Sequence, residues 1–161
     1  MRTLAAALLA ACVSTGAPAQ EKAGAPSDSV SIEGAVAHKR TLSLAELQAL
    51  PPVTVETDFV RASGQRHVSY TGAALWPLLS EAGPVDEPGE KTFFRHVVIA
   101  HASDGYAVAL SIGELDPNGE GKSVIIAYAE DGKPEKSLRL VVPGDHHAAR
   151  SLHDLTTIEV R

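Results

Sequence analysis

Arg150 and His153 stand three residues apart beside a turn at Gly144. A planar guanidinium forks onto phosphate or carboxylate oxygens, and an imidazole can add a second donor. The pair is therefore the first candidate for contact with a small anion or a phosphate-bearing cofactor. Asp145 and Asp154 flank it, and either could instead hold Arg150 in a surface ion pair. His146 and His147 directly follow Asp145, with His101, Asp104 and His153 elsewhere. Imidazoles and carboxylates suit Zn2+ or Cu2+. Adjacent strand residues point to opposite faces, however, so both histidines reach one ion only from irregular backbone. Ser103-Asp104-Gly105-Tyr106 brings a carboxylate and a phenol together, either at a pocket mouth or in a tight turn with Tyr106 packed beneath. The segment Gly119-Glu-Gly121-Lys122-Ser123 lacks the spacing of a phosphate-binding P-loop.

These side chains need a scaffold, and composition bounds it. The chain has 161 residues, 14 Lys+Arg against 20 Asp+Glu and a net charge of −6, enough for one ordinary domain. An acidic balance argues against nucleic acid as the main partner. One cysteine excludes a disulfide scaffold or zinc ribbon. That cysteine, Cys12, lies in a basic-then-apolar start of Ala and Leu followed by Ala17-Pro18-Ala19. The run is too short to span a bilayer and has the form of a secretory leader. Residues 1–19 are thus expected to be a cleaved signal peptide, leaving no cysteine and no transmembrane segment in a periplasmic or secreted protein. Leu9-Ala10-Ala11-Cys12 also has the form of a lipoprotein box, which would anchor the chain at Cys12. Residues 20–29 read as a flexible polar leader.

From residue 30 the pattern is that of one domain. Val30 and Ile32 alternate with polar neighbours, as in a half-buried strand. Ser43-Leu-Ala-Glu46 is a capping box, and its helix ends before Pro51-Pro52. Strands are expected on either side of Gly64, and a short helix over 73–82 ends at Gly83-Pro84. Residues 92–102 and 106–110 read as strands of a hairpin, 111–115 as a helical turn, and 123–129, 138–142 and 156–160 as further strands. About eight short strands with two or three short helices make a compact α+β domain of mainly antiparallel sheets.

In order and spacing, several segments resemble the molybdopterin-binding domain of the sulfite oxidase family. They are Ile32-Glu-Gly34-Ala-Val36, Leu42-Ser-Leu44-Ala-Glu-Leu47, Tyr70-Thr-Gly72-Ala-Ala-Leu75, Ala102-Ser-Asp104-Gly105-Tyr106, Asp131-Gly132-Lys-Pro134 and Leu138-Arg139-Leu140-Val141-Val142-Pro143-Gly144. The resemblance implies that family's α+β fold and, as ligand, molybdopterin in the molybdenum cofactor. The implied contact residues are Arg150, His153, His147, Asp104 and Tyr106. Two departures matter. The family's molybdenum-ligating cysteine belongs on the segment Val55–Gly64, where none stands, and the family motif Arg-x-Val-Lys-Trp-Leu reads here Arg150-Ser-Leu-His153-Asp-Leu. The expectation is an exported, oxidoreductase-like protein without standard oxo-transfer catalysis. One alternative is a non-enzymatic envelope module whose former cofactor cleft takes a small anion or a protein partner. The other is a histidine-based metal binder.

Overall fold

A computed structural model of the chain describes residues 25–61, 64–89 and 92–161. The expected signal peptide and Cys12 lie outside the described residues, as does Ala62 of the segment where the family cysteine belongs. The elements run β1 (Ser29–Gly34), β2 (Arg40–Ser43), α1 (Leu44–Ala49), β3 (Pro52–Arg61), β4 (Gly64–Ala74), α2 (Leu75–Ala82), β5 (Val97–Ala102) and β6 (Ala107–Ser111). There follow α3 (Ile112–Leu115), β7 (Ile125–Glu130), β8 (Lys133–Val141) and β9 (Leu155–Val160). They build two sheets, one in the order β2-β1-β9-β5-β6 and one in the order β3-β4-β7-β8. All pairings are antiparallel except β1 with β9, which joins the start of the fold to its end.

Local chemistry explains most boundaries. The Ser43 side chain accepts from the Glu46 amide and Glu46 reaches back to the Ser43 amide, so the capping box closes as expected. Ser111 and Glu114 repeat the device at α3. Pro77 is tolerated inside α2 because it falls in the first turn, where its missing N–H has no helical partner to lose. The chain leaves α2 through Gly83 in the left-handed region, φ 66°, with its amide on the Leu79 carbonyl. At Gly72 the sheet register shifts, and a Cβ there would stand 2.2 Å from the Ile126 carbonyl oxygen.

Two hydrophobic clusters lie on opposite faces of the four-stranded sheet. Ile126, Leu138, Leu140 and Val142 face the main core, with β1, α1, α2, β5 and β9. Ile125, Ala127 and Val141 face a smaller cluster with Val55, Phe59, Val68 and Tyr70. Alternate residues of β7 and β8 are thus buried on both sides, which is why those segments read as continuous apolar runs.

Three differences from expectation have physical causes. Residues 92–95 form a 3₁₀ turn rather than the start of a strand, with Phe93 set edge-on to Trp76 and His96. Strand β8 starts at Lys133 rather than Leu138, so the charged stretch before the expected strand joins it and Lys133 pairs with Glu130 of β7. The last part of the expected leader is tied down: the Ala25 carbonyl accepts from Ser103 Oγ, Ser27 from the Leu138 amide and Asp28 from the Leu44 amide.

Candidate functional site

The segment that brought charge into a strand also lines a cleft. This cleft of about 590 Å³ opens over β8, lined by Arg66 of β4, Glu130 of β7, Lys133 to Ser137 and Arg139 of β8, with Pro26, His153 and Asp154. That volume lies in the range of small-molecule sites. Arg139 is only 6% exposed although it carries a full charge. Its Nη1 donates to the Tyr70 hydroxyl at 2.8 Å, and its guanidinium lies 4.9 Å from the centre of the Tyr70 ring. Its Nη2 is 2.9 Å from Glu135 and 3.4 Å from Glu130. Glu130 in turn accepts a hydrogen bond from Arg66.

This network leaves one loose end. Arg139 Nε is buried and has no hydrogen-bond partner among the described residues, although a buried polar group normally has one. Glu135 Oε1, also buried, rests on its 2.9 Å ion pair with Arg139 Nη2. Burial raises the Glu135 carboxyl above its ordinary value, against the pull of Arg139. Burial also pushes Glu130 upward, but the hydrogen bonds of Arg66 and Tyr70 and the Arg139 charge outweigh it, so its carboxyl lies below the ordinary value. The Tyr70 hydroxyl is raised to about 12, chiefly by burial. At the rim, Lys133 and Lys136 make no ion pair among the described residues.

The structure separates the residues singled out by spacing. His153 lines the cleft, whereas Arg150 is held elsewhere. Arg150 Nε and Nη2 fork onto both Asp145 oxygens at 2.8 and 2.7 Å, and Nη1 donates to Glu114 at 3.1 Å. The ion pair expected as the alternative is therefore formed, with Asp145 as partner. Ser151 ends the 3₁₀ turn Ala148–Arg150 in an extended conformation, so residues 150 and 153 do not share a helical face. Tyr106 is 51% exposed and does not pack beneath its turn; its hydroxyl donates to the Ala149 carbonyl. Asp104 accepts from the Tyr106 amide, a turn contact. The Ser103 amide bonds the Asp154 carbonyl, which sets this turn against the cleft edge without adding Asp104 or Tyr106 to its lining. His147 Nδ1 is 3.3 Å from the Val60 carbonyl and the His146 carbonyl accepts from the Val60 amide, so this pair abuts the end of β3. Among the described residues, no three His, Cys, Asp or Glu side chains gather into a metal-holding group.

Spacing missed Arg139 and Arg66. The usable signal was an arginine inside the apolar run Leu138–Val142, since a charge in a buried strand must find partners. The cleft's donors, Lys133, Lys136 and His153, with the buried charge of Arg139 beneath them, suit the phosphate and polar edge of a pterin cofactor. Nothing in its lining supplies a thiolate.

Comparison with known proteins agrees with this architecture. No curated protein matches the sequence. The crystal structure of the sulfane dehydrogenase SoxCD from Paracoccus pantotrophus is similar in fold, with a TM-score of 0.66 and 18% identity. The likeness covers 82% of this chain and 37% of that one, so the chain spans well under half of that neighbour's length. The model of the oxidoreductase molybdopterin binding domain matches residues 18–161, and the chain belongs to that family.

Proposed function

We propose that the cleft over β8 binds a molybdopterin-type ligand in an exported protein that does not carry out standard oxo-transfer. The observation that carries this reading is the buried, incompletely matched Arg139 behind a cleft rimmed by two lysines free of ion pairs among the described residues. Lys133, Lys136 and His153 would hold the ligand's phosphate and polar groups, and Arg139 would supply positive potential from the floor. When bound, the cofactor supplies a redox metal gripped by its own dithiolene. The chain's one cysteine is Cys12, so the cleft itself offers that metal no thiolate. That gap supports binding over catalysis. It also favours the second reading, a binding module whose cleft takes another small anion or an envelope partner.

The test is to purify the protein from a host that makes the molybdenum cofactor and to measure molybdenum and pterin per chain. Stoichiometric pterin that is lost in Lys133→Ala/Lys136→Ala supports the proposal. Repeated isolation without pterin, with inorganic phosphate still bound, favours the second reading. Indifference to both ligands overturns the assignment of the cleft. Export is checked by the mass of the mature protein from the envelope fraction, which should begin after Ala19.

A further inference from the structure

A smaller pocket lies away from the cleft, between the isolated bridge that pairs Val36 with Pro84 and the 3₁₀ turn Thr92–Arg95. It encloses about 240 Å³ and is lined by Ala35, Val85, Asp86, Glu87, Thr92, Arg95, His96 and Arg161. His96 is only 8% exposed, yet its Nε2 has no hydrogen-bond partner among the described residues. Its other nitrogen, Nδ1, lies 3.2 Å from the Arg161 carbonyl oxygen. A carbonyl only accepts, so Nδ1 carries a proton, and in the neutral tautomer with that proton the ring's lone pair is at Nε2. That is the arrangement of a metal-binding histidine, whose second nitrogen donates to a backbone carbonyl that fixes tautomer and ring orientation. Phe93, set edge-on at 6.1 Å, holds the ring from the side.

The nearest opposite group is Asp86 Oδ1, 3.7 Å from Nε2. This is too long for a hydrogen bond. It is shorter than the roughly 4.1 Å sum of a Zn–N and a Zn–O bond, so a single ion placed between the two atoms can reach both. We propose that His96 Nε2 and the Asp86 carboxylate form a site for a divalent transition metal of the Zn2+ class, with water completing the coordination. Glu87 also lines the pocket and adds negative charge. Of the two cations that face it, Arg161 is already engaged by Glu159 at 2.8 and 2.9 Å, and Arg95 remains to hold an anion on the bound metal. These are not the histidines the sequence pattern pointed to, and the site is independent of the proposed function of the cleft.

The test is calorimetric titration of the purified full chain with Zn2+, alongside Cu2+ quenching of Trp76. Trp76 is the chain's one tryptophan and stacks edge-on to Phe93, 6.4 Å away. One ion per chain is expected, unchanged by Cys12→Ser, by His146→Ala/His147→Ala and by His67→Ala. Asp86→Asn should weaken binding by about tenfold or more, and His96→Ala should remove it. Asp86 is partly exposed, so its variant keeps the test decisive if His96→Ala fails to fold. Absence of stoichiometric binding, or binding that survives Asp86→Asn and is lost with the other histidines or Cys12, overturns the site.

Discussion

Arg139 and Arg150 are both arginines in carboxylate networks, and they serve different ends. Arg150, with its side chain 31% exposed, spends all three nitrogens on Asp145 and Glu114. It ties the loop after β8 to α3. Arg139, with its side chain 7% exposed, has two carboxylates and a phenol but keeps Nε unmatched beneath an open cleft. The bidentate geometry that makes arginine an anion receptor also makes it a clasp. The chain supplies two carboxylates to each, and what separates the two is burial and the unmatched Nε of Arg139.

The contrast can be broken most severely at Arg139. Arg139→Ala strands Glu130 and Glu135 around a buried void and should cost about 3–5 kcal/mol in urea unfolding. A loss below about 1 kcal/mol would mean that the network is already wet and that its burial means little. Tyr70 belongs to the same region. Its folded value is raised to about 12 against an ordinary 10. Its contribution is therefore whole below pH 10 and is lost as pH rises through 12, of order 2 kcal/mol. Phenolate absorbance should show one late-titrating tyrosine, and Tyr70→Phe should remove that phase.

Arg150→Ala should cost less, about 1 kcal/mol, because the clasp is partly exposed. It should leave ligand retention in the cleft unchanged. A loss of retained pterin in Arg150→Ala with stability intact would restore Arg150 as a contact residue. The smallest expected effect is on acid stability. The Arg150 hydrogen bonds hold the Asp145 carboxyl below its ordinary value. The clasp is therefore fully stabilising above the ordinary carboxylate value and is lost as pH falls beneath it. Stability in Arg150→Ala should fall less steeply over that acid limb than in the parent chain.

Local signals were legible. The Ser43 capping box, the Gly83 helix end and the strands around Gly64 depend on neighbours a few residues away, and all stand as read. Residues 92–95 did not, because Phe93 packs against Trp76 and that contact outweighs a strand-like composition. At the site, His153 was legible as a residue near a ligand cleft, while Arg150 was paired with it on spacing and on the family motif. Three residues apart means one face only if a helix continues between them, and here it stops at Ser151.

The sequence by itself determined the α+β class, the family resemblance and the absence of a thiol beyond Cys12, because these rest on residue identity and short-range order. Only the tertiary structure decided which arginine is a clasp and which a floor. Arg66 meets Glu130 and Arg139 meets Tyr70 across 64 and 69 residues of chain. Such partners are chosen by sheet register and burial, and those follow from the packing of the whole core rather than from any local pattern.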